Sequence, residues 1–314
     1  MNGRVADESY VLVIGSSGMD IVGRAKQTVH HGSSNPGEMR ISQGGVARNV
    51  AENLSRLGLN TLLITAVGDD LPGQQMLEQT GQAGVNLEHV IISREHPTGS
   101  YLAILNDDGN LHLGMDDMGV IDALTAEYLR QRYVLFKNAA ALFVDANLPD
   151  KTLRTAMSLA RRAKTPIAAD PTSVSLAAGL QPYLDRLWLV TPNEGEAAAL
   201  CGLTVPHADQ NSALQAARHL IGCGVEYAVV TMAEFGLVYA SADSSGHIPA
   251  LQTEILDPTG AGDALSSAVI FALLNEIPFD EAVRLGLSAA ALTLRSLGTT
   301  CKNLSLELLY DQLR

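Results

Sequence analysis

Apolar runs that stop at glycine or at a polar residue recur along this chain, and amphipathic stretches of helical period lie between them. Tyr10-Val11-Leu12-Val13-Ile14 is continuously apolar up to Gly15, the pattern of a strand buried on both faces. Thr61–Gly68, Ala141–Asp145, Pro166–Asp170, Leu187–Thr191 and Tyr227–Thr231 read the same way. Helical spacing is expected over Gly44–Gly58, where Val46, Val50, Leu54 and Leu57 share a face and Gly58 ends the run. It returns from Asp69-Asp70-Leu71-Pro72-Gly73 to about Ala83, from about Leu124 to Lys137, over Asp150–Ala163 and over Asn211–Gly222. Strand and helix alternate, which predicts an α/β fold: one large, mostly parallel sheet flanked by helices through right-handed crossovers.

Two regions break the alternation. After Asp20 the chain runs through Ile21-Val22-Gly23-Arg24-Ala25 into a polar stretch with a loop at Ser33-Ser34-Asn35-Pro36-Gly37. Later, His89–Ser93, Ser100–Asn106 and Leu111–Met115 are short strand patterns, the last two joined by the turn Asp107-Asp108-Gly109-Asn110. Such pieces do not continue a parallel sheet. They predict a small separate sheet, inserted at about 21–43 and 98–118 of a single domain spanning 1–314, with an ordinary edge hairpin as the plainer alternative. No repeat, low-complexity segment or interdomain linker interrupts the chain.

Composition narrows the function. With 21 Lys and Arg against 34 Asp and Glu, the net charge of −13 argues against a nucleic acid polymer as partner, since phosphate neutralisation needs a basic face. A nucleotide, which needs only a local seat, remains open. Cys201, Cys223 and Cys301 are odd in number and far apart, which fits neither a disulfide framework nor a metal site and points to a reducing cytoplasm. The first ten residues do not resemble a signal peptide, and no apolar run approaches membrane length.

The chemistry concentrates in Asp257-Pro258-Thr259-Gly260-Ala261-Gly262-Asp263-Ala264, a loop that enters a nearly all-apolar, hence buried, helix over Ala264–Leu274. Pro258 blocks helix and Thr259 is the expected N-cap. The glycines strip side chains from the helix entrance, so an anion can approach the unpaired N–H groups of Gly260, Ala261 and Gly262. Those amides suit the charge that develops as a phosphoryl group is transferred. Asp263, in the first turn beside that seat, makes sense as the base that takes a proton from the attacking hydroxyl; the plainer alternative is an acidic residue placed there by the helix dipole.

Polar residues also gather at strand ends: Asp20, Asn147, Asp170, Asn193 and Thr231. Carboxyl ends of parallel strands are where open α/β sheets bind ligands, and five such residues are harder to dismiss as caps and turns than any one of them. Gly44-Gly45 opens a second helix start, and Asn49, one turn in, offers both donor and acceptor atoms. No GxxxxGK[ST] loop occurs, which disfavours a P-loop kinase, and no GxGxxG follows the first strand, which disfavours a dinucleotide enzyme.

The Asp257–Ala264 signature resembles that of the ribokinase family, also called the phosphofructokinase-B family of carbohydrate kinases. The resemblance implies a ribokinase-like fold, Asp263 as catalytic base and Gly260, Ala261 and Gly262 as its anion hole. It implies that Asp20, Gly44, Gly45 and Asn49 hold substrate hydroxyls, and that the small sheet is a lid that covers the substrate and pairs two copies of the chain. Pro192-Asn193-Glu194-Gly195-Glu196 matches the family motif in which Asn193 and Glu196 hold the Mg²⁺ water shell and the phosphates of ATP. Thr231-Met232-Ala233-Glu234-Phe235-Gly236 matches its nucleotide loop at Thr231 and Gly236, with Ala233 in place of the first glycine. Members commonly bind K⁺ beside the anion hole, a role that would fall to Asp257 and the carbonyl of Thr259, with others from the region of Gly298.

Within the family, Gly32–Gly37, Gly44–Leu54, Gly99–Leu102, Met115–Met118 and Asp145-Ala146-Asn147 are more similar to bacterial enzymes acting on pseudouridine than to those acting on ribose. Val46 stands where ribokinases carry Lys, and Asn147 where they carry Glu, so the resemblance implies a nucleoside rather than free ribose. Asn147 and the lid near Ser100 and Met115 are then expected to face the base or ribose. The resulting expectation is transfer of phosphate from ATP to a nucleoside 5′-hydroxyl, that of pseudouridine in particular, in a cytoplasmic homodimer. The rivals are a ribose or other nucleoside kinase, or a non-catalytic nucleoside sensor, against which an intact Asp263 argues.

Overall fold

A computed structural model of the chain describes residues 9–108, 111–202 and 209–314. The expected hairpin turn at Asp107–Asn110 therefore falls partly outside the described residues. In the first half the chain forms β1 (Tyr10–Ile14), β2 (Gly18–Ala25), β3 (Gly37–Gly44), α1 (Val46–Arg56), β4 (Thr61–Ile64), β5 (Ala66–Gly68), α2 (Leu71–Gln82), β6 (Ile91–Ser93), β7 (Gly99–Leu105) and β8 (Leu111–Asp117). Then come α3 (Ala126–Arg130), α4 (Tyr133–Asn138), β9 (Ala139–Asp145), α5 (Asp150–Ala163), β10 (Ile167–Asp170), α6 (Val174–Ala177), β11 (Leu189–Val190), α7 (Glu194–Leu200) and α8 (Gln210–Gly222). The chain ends with β12 (Tyr227–Thr231), β13 (Leu237–Ala240), β14 (Ser245–Ile248), α9 (Ala261–Leu274), α10 (Phe279–Leu294) and α11 (Leu306–Gln312).

The main sheet has eight strands in the order β14-β13-β12-β11-β10-β9-β1-β4. From β4 across to β12 all neighbours are parallel, and β13 and β14 close the far edge as an antiparallel pair. Strand alternation splits the core in two. Leu12, Ile14, Leu142 and Val144 pack against α3, α4, α5, α7 and α8 on one face, whereas Val11, Val13, Phe143 and Ala168 pack against α1, α9, α10 and α11 on the other. Burial on both faces explains the unbroken apolar runs. Among the described residues no helix is long and apolar enough to cross a membrane.

The small sheet has the order β3-β2-β7-β8. β2 pairs antiparallel with β3 and parallel with β7, and β8 closes it antiparallel to β7. Asp20, expected at the carboxyl end of a main-sheet strand, instead lies inside β2; β1 stops at Ile14, and the chain leaves the main sheet through Ser16 and Ser17. Three further elements differ from expectation. Thr61–Gly68 is two strands, because the chain changes sheets at Thr65. The strand near His89–Ser93 is β6, which pairs parallel with β5 in a third sheet rather than joining the small one. The helix expected over Leu124–Lys137 is broken into α3 and α4, because Gln131 and Arg132 form a turn between two separate caps.

Candidate active site

The carboxyl ends of β1, β9, β10, β11 and β12 open, together with the starts of α1 and α9 and one face of the small sheet, on a single cavity of about 590 Å³. That size suits a small organic ligand, and the position is where open parallel sheets bind theirs. Asp20, Gly45, Asn49, Asn147, Asn193, Glu196, Thr231, Thr259, Gly260, Gly262 and Asp263 all line it. Among the described residues no cluster of three or more His, Cys, Asp or Glu side chains forms a metal site.

Helix α9 begins differently from the sequence expectation. Its N-cap is Gly260, not Thr259, and no side chain caps it. Gly260 takes φ +81°, and a Cβ built there would lie 2.0 Å from the carbonyl oxygen of Thr299, so only glycine fits. The N–H groups that follow are left without an intrahelical partner. A Cβ at Gly262 would meet nothing within 4 Å, so its lack of a side chain widens the cavity rather than relieving a clash.

Asp263 is buried in the first turn, and its Oδ2 accepts a 2.7 Å hydrogen bond from Nδ2 of Asn49. Burial pushes its carboxyl up to about 7; the Asn49 bond opposes this, Asp20 and Asp145 add to it, and Arg48 works against it. Asp20 is pushed up to about 6 by burial and by Asp257, with Arg48 again opposing. Asp170, buried at the end of β10 on the cavity wall, is raised well above the usual carboxylate range by burial and by Asp263 and Glu196. The cavity thus holds several carboxylates that share a poorly solvated space, a setting in which one of them can exchange a proton near neutral pH.

The start of α1 is built around another carboxylate. Gly45 caps the helix with φ +90°, and a Cβ there would strike the backbone of Ser16 and Ser17. Oδ2 of Asp145, at the end of β9, accepts from the N–H of Ser16 at 2.8 Å, the hydroxyl of Ser16 at 2.7 Å and the N–H of Ala47 at 3.0 Å. Gly44 does not line the cavity; a Cβ there would lie 2.2 Å from the Asp20 carboxylate, so Gly44 makes room for Asp20 rather than for a ligand. Asn147 lines the cavity and donates to Ser16 Oγ at 3.1 Å and Thr172 Oγ1 at 3.3 Å.

Small-sheet register places Ser42, Asp20, Tyr101 and Asp116 in one cross-strand row, and Tyr101 and Asp116 line the cavity with Asp20. Ser100 belongs to the alternate row, with Met19 and Asp117, and does not line the cavity. Met115 pairs with Leu102 on that opposite side and is 59% exposed. The expectation at Ser100 and Met115 is therefore one residue out of register, since side chains alternate between faces.

At the other end, Asn193 and Glu196 form a capping box at the start of α7: Asn193 Oδ1 accepts from the N–H of Glu196, and Glu196 Oε2 from the N–H of Asn193, each at 2.9 Å. Thr231 ends β12 at the cavity wall. Gly236 stands back from it, in a turn at φ +89° where a Cβ would collide with the carbonyl oxygen of Ile248. Ala233, where the family pattern has glycine, adopts φ +47°, a left-handed conformation that glycine reaches without strain. Asp257 is buried just outside the lining, and its Oδ1 accepts from the N–H of Thr259 at 3.0 Å.

Sequence reasoning missed Tyr101, Asp116, Arg48 and Thr299. Nothing in the pattern marked the first two, because exposed apolar residues on the other face of the small sheet hide which side turns inward. The last two meet only in the fold, 251 positions apart, with Arg48 Nη1 3.3 Å from the Thr299 hydroxyl.

Comparison with known proteins agrees with this geometry. The model of the pfkB family carbohydrate kinases matches residues 8–305. A pseudouridine kinase of Escherichia coli is 31% identical over 301 residues, spanning 96% of this chain and 95% of its own. A guanosine-inosine kinase of Exiguobacterium acetylicum is 30% identical over 283 residues, 90% of this chain and 93% of its own. In fold, the ribokinase of Arabidopsis thaliana solved with ribose and ATP matches with a TM-score of 0.82 over 98% of this chain and 99% of its own, at 22% identity. A helix start stripped of side chains, a buried carboxylate beside it and a family match over nearly the whole chain converge: this protein belongs to the pfkB family of carbohydrate kinases.

Proposed function

We propose that the protein transfers the γ-phosphoryl group of ATP to the 5′-hydroxyl of a nucleoside, pseudouridine in particular. One observation carries the reading: Asp263 and the open start of α9 line the same cavity as Asp20 and Asn147. Asp20 accepts from ribose hydroxyls. The 5′-hydroxyl gives its proton to Asp263 as its oxygen bonds to the γ-phosphorus; the bond to the bridging oxygen breaks, and ADP leaves with that electron pair. The N–H groups of Gly260, Ala261 and Gly262 meet the negative charge on the transferred group. Positioning and electrostatics do most of the work, and the base adds about 10²–10⁴-fold.

The residues present fit Mg²⁺, which keeps most of its waters and needs only one or two carboxylates beside the phosphates. Asn193 and Glu196 are placed for that shell, since Glu196 is buried at the cavity and spends only Oε2 on its cap. When bound, the ion neutralises phosphate charge. Asp257 and the carbonyl of Thr259 suit K⁺, because Asp257 is a buried carboxylate without an ion-pair partner among the described residues.

We read the small sheet as a lid within a single domain. Asp20, Tyr101 and Asp116 turn to the cavity, whereas Ile41, Met39, Leu113 and Met115 on the far face are 50–68% exposed, which favours a second copy of the chain against it. A homodimer follows from this reading, and the three free cysteines favour a reducing, cytoplasmic setting for it.

Pseudouridine differs from uridine in a ring N–H where uridine has carbon. A site that accepts from that N–H discriminates by up to ~10⁴-fold, whereas shape alone rarely exceeds ~10². The similarity to a guanosine-inosine kinase makes a purine nucleoside the second reading. The test is kcat/KM for pseudouridine, uridine, guanosine, inosine and ribose, measured side by side. Pseudouridine should lead. Equal use of uridine, or a preference for ribose, would refute the assignment while leaving the kinase intact.

A further inference from the structure

Asn49, expected to hold substrate hydroxyls, is committed mostly to the protein. Its Nδ2 donates to Asp263 at 2.7 Å, and its Oδ1 lies 2.9 Å from Nη1 of Arg48 and 2.9 Å from the hydroxyl of Thr299. A carboxamide can turn over and exchange its oxygen and nitrogen, so something must hold it with nitrogen towards Asp263. Arg48 does this without ambiguity, because a guanidinium only donates and therefore demands the oxygen. The Thr299 hydroxyl bears on the same oxygen: it accepts from Arg48 Nη1 at 3.3 Å, and its single proton lies between the carbonyl oxygen of Gln43 at 2.6 Å and Asn49 Oδ1 at 2.9 Å.

Arg48 is itself buried and fixed. It pairs with Glu52, and its Nε donates to Thr80 at 3.1 Å. Glu52 is held in turn by Arg56 at 2.7 Å and by the hydroxyl of Thr300 at 3.0 Å. Thr299 also abuts the α9 entrance through its carbonyl, which fills the space a Gly260 side chain would need. One short segment, Thr299-Thr300, thus touches the anion seat, the Asn49 carboxamide and the Arg48–Glu52 pair.

We infer that Arg48 and Thr299 are positioning residues: they fix the Asn49 carboxamide so that it donates to Oδ2 of Asp263, leaving Oδ1 to receive the substrate proton. The inference rests on the proposed role of Asp263 as base. No described residue bonds to Oδ1, and the second hydrogen on Asn49 Nδ2 remains for a substrate hydroxyl. A donor on one oxygen favours the ionised carboxylate that a base must be, against burial and the neighbouring carboxylates. The charged groups acting on Asp263 are Arg48 of α1, Asp20 of β2, Asp145 of β9 and Asp170 of β10. Of these, only Arg48 is cationic.

The experiment is the pH profile of kcat, with ATP and whichever of pseudouridine, guanosine, inosine and ribose turns over fastest. Saturating substrate engages Asp20, so the acid limb of kcat reads the base in the complex. Thr299→Val keeps shape and removes the hydroxyl. It should move the acid limb up by about half a pH unit, so that kcat falls about threefold below the limb and hardly at all above it. Arg48→Lys keeps the charge and loses the fork, with an upward shift of about one unit. Thr299→Ser should restore the wild-type profile.

A uniform loss across pH, or an unmoved acid limb, in a folded Thr299→Val protein overturns the inference. Asp263→Asn separates the two levels. If that variant is inactive and Thr299→Val is unshifted, only the positioning network fails; if Asp263→Asn turns over within a few-fold of wild type, the base and the network fail together.

Discussion

Helices α1 and α9 start alike and end up doing different things. Each is capped by a glycine at positive φ, Gly45 and Gly260, with no side-chain cap, and each opens on the same cavity. At α1 the protein supplies its own anion: Asp145 reaches from β9 and takes the N–H of Ala47. At α9 no described carboxylate does so, and the one acidic residue of the first turn, Asp263, is held aside by Asn49. The same local motif therefore serves to fasten one helix to the sheet and to leave the other for a ligand. A glycine-led helix start is thus not by itself a binding site; what the rest of the fold brings to its N–H groups decides.

The contrast can be broken at four places. The largest effect is expected on the α9 side, where Asp263→Asn removes the base but little volume. Turnover should fall ~10²–10⁴-fold with ATP binding kept. Turnover near the wild-type rate would show that α9 holds phosphate without a base. On the α1 side, Asp145→Ala leaves the N–H of Ser16 and of Ala47 unpaired in the interior, at a cost of about 3 kcal/mol. Urea denaturation measures that loss; an unchanged midpoint would mean that Asp145 does not fasten the helix.

Between them, Asp20→Ala should weaken nucleoside binding by about 1–3 kcal/mol and leave ATP affinity alone. The reverse pattern in calorimetric titrations would place the two substrates at opposite ends from those proposed. The smallest effect is on thermal stability. Burial pushes the carboxyl of Asp263 up to about 7 and that of Asp20 up to about 6 in the folded chain, both above the ordinary carboxylate value of 3.8. The folded state therefore binds more protons than the unfolded one between those values, and stability falls as pH rises towards about 7. Asp263→Asn removes part of that penalty. Its melting temperature should exceed that of wild type by a few degrees at about pH 8 and hardly at all at about pH 4. A difference that is constant with pH would exclude an ionisation origin.

How much of this was legible in the sequence depended on how far the deciding contacts lie along the chain. Helix α5 and strand β12 fall where their patterns put them, because α5 is long and amphipathic and β12 is a short apolar run buried on both faces of the sheet. The Gly260–Asp263 segment was readable because its chemistry sits in one stretch. Register in the small sheet was not: the far face carries exposed Ile41 and Met115, so burial gave no clue to which of Ser100 or Tyr101 turns inward. Thr259 was a reasonable cap by residue type, yet Gly260 took that place because the carbonyl of Thr299 crowds it, a contact from 39 positions on (260 to 299). The role of Arg48 was hidden for the same reason.

Gly44 has a consequence for how such a chain can change. Its Cα faces the carboxylate of Asp20 so closely that a methyl group would overlap it. The two positions therefore cannot drift independently. A larger residue at 44 is tolerable only after 20 has shrunk or moved, and by then the hydroxyl contact is gone. Chains that keep the Asp20 carboxylate in this position have room only for glycine at 44. Those that lose the acid are released from that constraint, and once a side chain has grown in at 44 the original residue at 20 can no longer return in a single step.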